Sequence, residues 1–109
     1  MDKSKMIPVV DVKLDRPRKL KYDFKAMRLI EKETSKNMLN PKIWQEMNAT
    51  DLSIFVWAGL KHEDPNLTVE HVEEMLHPGN MAETIYKVGE AWGLSMPEAK
   101  EAGEQSPLA

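Results

Sequence analysis

Cysteine is absent from this chain of 109 residues, which excludes a disulfide framework and any thiolate-ligated metal. No run approaches the roughly eighteen apolar residues of a membrane span. The N-terminal MDKSKMIPVVDVKLDR has neither the apolar core nor the small-residue cleavage site of a signal peptide. A soluble, intracellular protein that engages no membrane is therefore expected. The five glycines are scattered, so no Gly-rich phosphate loop can be assembled. Serine occurs at helix starts and near the termini, without the base and orienting acid that would activate it. Lys and Arg are scarce in the second part: Asn37 to Ala109 holds 4 against 12 Asp and Glu, whereas Met1 to Lys36 holds 11 against 6. The net charge of -3 thus hides ends of opposite sign, which fits head-to-tail self-contact or an oppositely charged partner and a solvated surface about equally well.

What is present reads as a mainly α domain. Val10, Val12 and Leu14 alternate with polar residues, as do Leu20, Tyr22 and Phe24, and Asp15-Arg16-Pro17-Arg18 turns between them; the pattern predicts an N-terminal β-hairpin. Asp23 caps a first helix to about Lys36, with a stripe of Phe24, Met27 and Ile30. Asn40-Pro41 opens a short second helix carrying Ile43, Trp44 and Met47. Asn48 or Thr50 caps a third. Thr68 caps a fourth, which His77-Pro78-Gly79 stops, and Asn80 with Glu83 opens a fifth that ends near Gly93. Its stripe is Met81, Ile85, Val88 and Trp92. Residues 1–94 are therefore expected to form a single small bundle of four to five short helices with the hairpin, and 95–109 a disordered tail.

The third helix, in NATDLSIFVWAGLKHEDP, is apolar nearly all round and must be covered on every side. At about 100° per residue, Leu52, Phe55, Val56, Gly59 and Leu60 share one face and Ile54, Trp57 and Ala58 the other. Eight methionines and three tryptophans accompany it. Met adapts to varied apolar partners and Trp anchors interfaces, so Ile54, Trp57, Trp44, Met47 and Met75 are candidates for a protein-interaction surface, although such residues more often simply fill a core.

Other chemistry is weaker. His71, Glu74 and His77 step along the fourth helix, but six residues turn the second imidazole about 120° from the first, and no metal or cofactor is expected. Paired carboxylates such as Glu73 and Glu74 read as water-facing charge, and no enzymatic activity is expected. A basic patch of Arg16, Arg18, Lys19 and Lys21 beside Tyr22 and Phe24 is the alternative, a small nucleic-acid-binding regulator. Against it, alternation turns both aromatics inward. As the reading helix of a helix-turn-helix, VEHVEEMLH would bring three glutamates and no Lys or Arg to DNA.

The order of these pieces resembles the tail assembly chaperones of long-tailed bacteriophages and related prophages. The resemblance spans roughly Val9 to Leu94. It is carried by a hairpin leading into KLKYDFKAMRLIEKET, then NATDLSIFVWAGLKHEDPNLTVEHVEEML, then HPGNMAETIYKVGEAWG. Within these, Ala58-Gly59-Leu60, Asp64-Pro65, Leu67-Thr68 and Asn80 mark the helix ends and starts. The resemblance implies a non-enzymatic, cofactor-free protein of the host bacterial cytoplasm, absent from the mature virion. It would coat the tape measure protein, keep it soluble, help recruit tail tube subunits and act as a homo-oligomer.

Overall fold

A computed structural model describes residues 8–95. Apart from Ser95, the expected disordered tail lies outside the described residues. Two strands, β1 (Val10–Lys13) and β2 (Pro17–Leu20), pair antiparallel with Val10 opposite Leu20 and Lys13 opposite Pro17. Helices follow: α1 (Phe24–Thr34), α2 (Ala49–Leu60), α3 (Val69–Met75) and α4 (Pro78–Ser95), with a 3-10 turn at Pro41–Trp44 between the first two. The fold is mainly α with an N-terminal hairpin, as the periodicity predicts.

Local chemistry explains most boundaries. The Asp23 carboxylate accepts from Ala26 N at 2.9 Å, so Phe24 begins α1 instead of ending β2. The buried face of α1 is consequently Ala26 and Ile30, while Phe24 is 71% exposed, contrary to the expected stripe. At the other end Ser35 adopts a left-handed φ of 60°, its N–H closing on the Glu31 carbonyl, and α1 stops short of Lys36. Asn40 caps the next segment as expected, its side chain accepting from Lys42 N, but four residues make only a 3-10 turn.

Asn48, not Thr50, caps α2 through a reciprocal box: Asn48 Oδ1 accepts from Asp51 N at 2.8 Å and Asp51 Oδ2 accepts from Asn48 N at 3.3 Å. Asp51 is buried and paired with Lys36 at 2.8 Å, which offsets its desolvation. From Asp51 to Leu60 every residue but Trp57 is buried. The helix lies at the centre, with α1, α3, α4 and β2 packed around it. Trp44 sets its ring edgewise on Phe55 at 5.3 Å and on Trp92 of α4 at 5.9 Å, and Trp92 in turn meets Tyr22 at 5.5 Å.

Thr68 caps α3, accepting from His71 N. The start of α4 differs from expectation by three residues. His77 is the cap, its Nδ1 accepting from Gly79 N, and Asn80 in the first turn returns the bond by accepting from His77 N. Pro78, with its preset φ, suits the first helical position. Gly93 has no positive φ and does not end the helix. The inward face of α4 is Thr84, Val88, Ala91 and Trp92; Thr84 is tolerated there because its hydroxyl donates to Asn80 O at 2.7 Å, and Ile85 is left 45% exposed.

Between hairpin and α1, residues 21–23 cross α2 at Gly59. Lys21 N donates to Gly59 O at 2.9 Å, and the buried Tyr22 hydroxyl donates to Phe55 O at 2.7 Å. A Cβ on Gly59 would stand 2.8 Å from Tyr22 Cζ and 2.9 Å from Leu20 Cδ2, and the Tyr22 ring cannot retreat without losing its bond. Gly59→Ala is therefore expected to lower unfolding free energy by about 1–3 kcal/mol, and Tyr22→Phe by about 1 kcal/mol. Urea unfolding followed by circular dichroism checks both; an unmoved midpoint for Gly59→Ala would disprove the close approach.

Candidate protein-interaction surface

The five residues proposed as an apolar surface divide into three environments. Ile54 is only 7% exposed and belongs to the core, so it is withdrawn as a surface residue. Trp57 is half-buried: its Nε1–H donates to Leu67 O at 2.8 Å, and Lys61 Nζ lies 5.4 Å from the ring centroid. The second face of α2 is thus covered by the chain's own Leu67 and by α3, whose last residue, Met75, is half-buried against the core. Trp44 and Met47 are half-buried, and Trp44 rests on the Phe55 side of α2. Phe55 and Trp57 are about 200° apart around that helix, so Trp44 and Trp57 do not share a surface.

The helix ends supply an apolar opening that the residue pattern did not show. A groove of about 290 Å³ is lined by Ala49, Thr50, Leu52, Ser53, Glu73, Leu76, His77, Pro78 and Met81. Its origin is the break between α3 and α4. Leu76 leaves α3 in extended conformation, α4 restarts at Pro78, and Leu76 and Met81 line the opening together with the first turn of α2. Ser53 on the floor already donates its hydroxyl to Thr50 O at 2.7 Å. The groove therefore presents mainly hydrocarbon, with Glu73, His77 and Thr50 as polar lining. The signal in the sequence was Leu76-His77-Pro78, an apolar residue next to a forced restart, but the opposing wall comes from a segment about thirty residues away.

The basic patch is dismantled by pairing. Arg18 is 5% exposed and grips Asp15 bidentately, Nε to Oδ1 at 2.7 Å and Nη2 to Oδ2 at 2.9 Å, with Nη1 3.6 Å from Asp64. Lys19 pairs with Asp11 at 2.7 Å. Among the four, Arg16 is exposed and helps hold Asp15 ionised through its main chain and its charge, while Lys21 lines a separate cleft of about 370 Å³ with Lys25, Lys61 and His62. Tyr22 is buried, and desolvation pushes its phenol far above the ordinary value. Arg18 fails as a phosphate contact because it is buried with Nε and Nη2 both bonded to Asp15, although Nη1 makes no hydrogen bond.

His71 is exposed on α3 and His77 sits at the start of α4. Among the described residues no three His, Asp or Glu side chains gather as a metal site requires, and no helix is long and apolar enough to cross a membrane.

The Asp15–Arg18 pair carries a pH signature. The hydrogen bond from Arg18 holds the Asp15 carboxyl below its ordinary value, against a smaller opposing effect of burial. A depressed carboxylate stabilises the fold above its unfolded value of about 4, and that contribution is lost as pH falls through the lower folded value. Asp15→Asn is expected to cost about 1–2 kcal/mol at pH 7, discounted because water screens a half-exposed carboxylate. Denaturant unfolding from pH 7 to pH 2 should show the gap to wild type narrowing below about pH 4; a constant gap would mean that ionisation of Asp15 is not what matters.

The chain matches no protein-family model, no curated protein and no solved structure.

Proposed function

We propose that this chain is a tail assembly chaperone of a long-tailed phage or prophage, a non-enzymatic protein that binds apolar helical stretches of the tape measure protein. It would keep that client soluble in the host bacterial cytoplasm, help tail tube subunits gather on it, and leave before the virion matures. The observation that carries the reading is the open apolar groove between the ends of α2, α3 and α4. A tape measure exposes apolar helical stripes over a great length, and such a stripe offers side chains at i, i+3, i+4 and i+7 that a groove can take one or two at a time. Met81 on the wall is unbranched and polarizable, suited to clients whose side chains vary along the molecule. The covered state of Arg18 and Tyr22 makes a nucleic-acid role the poorer reading.

Co-expression with the tape measure protein of the same phage or prophage tests the proposal. Wild type is expected to keep the client in the soluble fraction, whereas Met81→Glu and Leu76→Glu, both at half-buried positions, weaken binding at least about tenfold, a change of about 1.4 kcal/mol. Circular dichroism confirms that the variants remain folded. Equal solubilisation by wild type and both variants would sink the groove as the client site, and no solubilisation by wild type would sink the function itself.

A further inference from the structure

We infer, on the reading of the groove as the client site, that it selects basic amphipathic helices, the Glu73 carboxylate pairing with a Lys or Arg beside the client's apolar anchor. Charge around the opening is of one kind. No Lys or Arg lines it among the described residues. His77 accepts from Gly79 N through Nδ1, so in this arrangement its ring is neutral and offers only an N–H at Nε2. The Ser53 hydroxyl is already given to Thr50 O. Glu73 is thus the one ionised group of the lining.

That carboxylate has no partner of its own. Glu73 is exposed on α3 and shares an arc of roughly 100° with Glu70 and Glu74, and none of the three forms a salt bridge among the described residues. Asp51, in the first turn of α2, is by contrast paired within the chain to Lys36. A wholly apolar helix settling on Leu76 and Met81 would strip water from Glu73 and return nothing, which costs free energy. An acidic helix would add repulsion. A Lys or Arg gives back a charge-assisted hydrogen bond in place of the lost water.

Spacing agrees with sign. Glu73 stands three residues before Leu76, so the charge and the apolar wall are about one helical turn apart on this chain. In a helical client, side chains three or four residues apart lie on one face at about 5–6 Å from one another. An apolar side chain seated between Leu76 and Met81 therefore carries a neighbour one turn away toward Glu73. The long stems of Lys and Arg suit that position, lying along the apolar wall while the charged head reaches the rim. Apolar contact supplies most of the affinity, and the rim charge supplies a choice of partner that salt can screen.

Two synthetic helical peptides of about five turns serve as probes, sharing one Leu stripe and differing only in a polar face of Lys or of Glu. Titrated with the full chain, the Lys peptide should bind at least about fivefold more tightly than its Glu twin at low salt and lose most of that preference at high salt. Glu73→Gln should remove most of the preference, and Glu73→Lys should reverse it. Glu33→Gln, the same change in net charge at an exposed position of α1, should leave it intact, which separates the rim from the general acidity of the protein. Met81→Ser should weaken both peptides, placing them in the groove. Glu73 is exposed and circular dichroism checks folding; should Glu73→Lys unfold, Glu73→Gln decides. Equal binding of the two peptides by wild type, or a preference that persists in Glu73→Gln, overturns the inference and leaves the groove as a client site indifferent to charge. Failure to bind either peptide overturns it as well, whereas the function proposed above falls only if wild type does not keep the tape measure protein soluble.

Discussion

The contact of Tyr22 with Gly59 is the constraint from which the arrangement of this protein follows. At that crossing the main chain of residue 21 donates to Gly59 O, the phenol of residue 22 donates to Phe55 O, and no room remains for a methyl group on the helix. Two buried polar groups are satisfied by one close approach, and leaving either unpaired would cost more than the bond contributes. Because the hairpin precedes this crossing and α1 follows it, a single contact aims both at α2. Trp92 then meets the same tyrosine edge to face at 5.5 Å, which places α4.

An apolar helix at the centre of so small a chain has to be wrapped completely, and the wrapping explains which surfaces remain. Covering the Trp57 side of α2 takes Leu67 and the seven residues of α3, a helix with only Val72 fully buried. Such a short helix brings only Glu73 beside the first turn of α2 and ends there, and the groove beside Leu76 and Met81 opens at that point. β1 and β2 pack on α4, whose buried face includes the small Thr84 and Ala91. The larger Ile85 and Tyr86 are thereby turned out to solvent. Exposed apolar area here follows from how few elements share the covering of α2.

Features governed by neighbours in the chain were legible beforehand. Asp23, Asn40, Asn48 and Thr68 all cap as their side chains and positions imply, since a cap joins a residue to a backbone amide only two or three positions on. The amphipathic faces of α1 and α4 were less legible. Phe24 and Ile85 fit their helical stripes as well as Ala26 and Thr84 do, and only what packs on each helix, α2 on α1 and chiefly the strands on α4, decides which of them turns inward. Arg18 reads as a surface cation although its bidentate partner Asp15 is only three residues away, because its burial depends on the fold and its second carboxylate, Asp64, lies far along the chain. The candidate groove is harder still, being built from three helix ends, none of which is apolar enough to stand out alone.

The kind of partner that the groove admits bears on the proposed function. A groove lined with hydrocarbon recognises shape loosely and accepts many apolar side chains, so one copy on one client segment would bind weakly. A carboxylate on its rim adds a choice of sign instead, and it acts at a distance set by screening. The proposed client, being long, would hold a row of such copies. On the proposed function, the effective concentration supplied by a neighbouring copy would raise the affinity of every groove without any change in the groove itself. Weak individual sites have a further physical merit for a chaperone: the row is released by breaking contacts one at a time, whereas a single tight site would have to be broken at once.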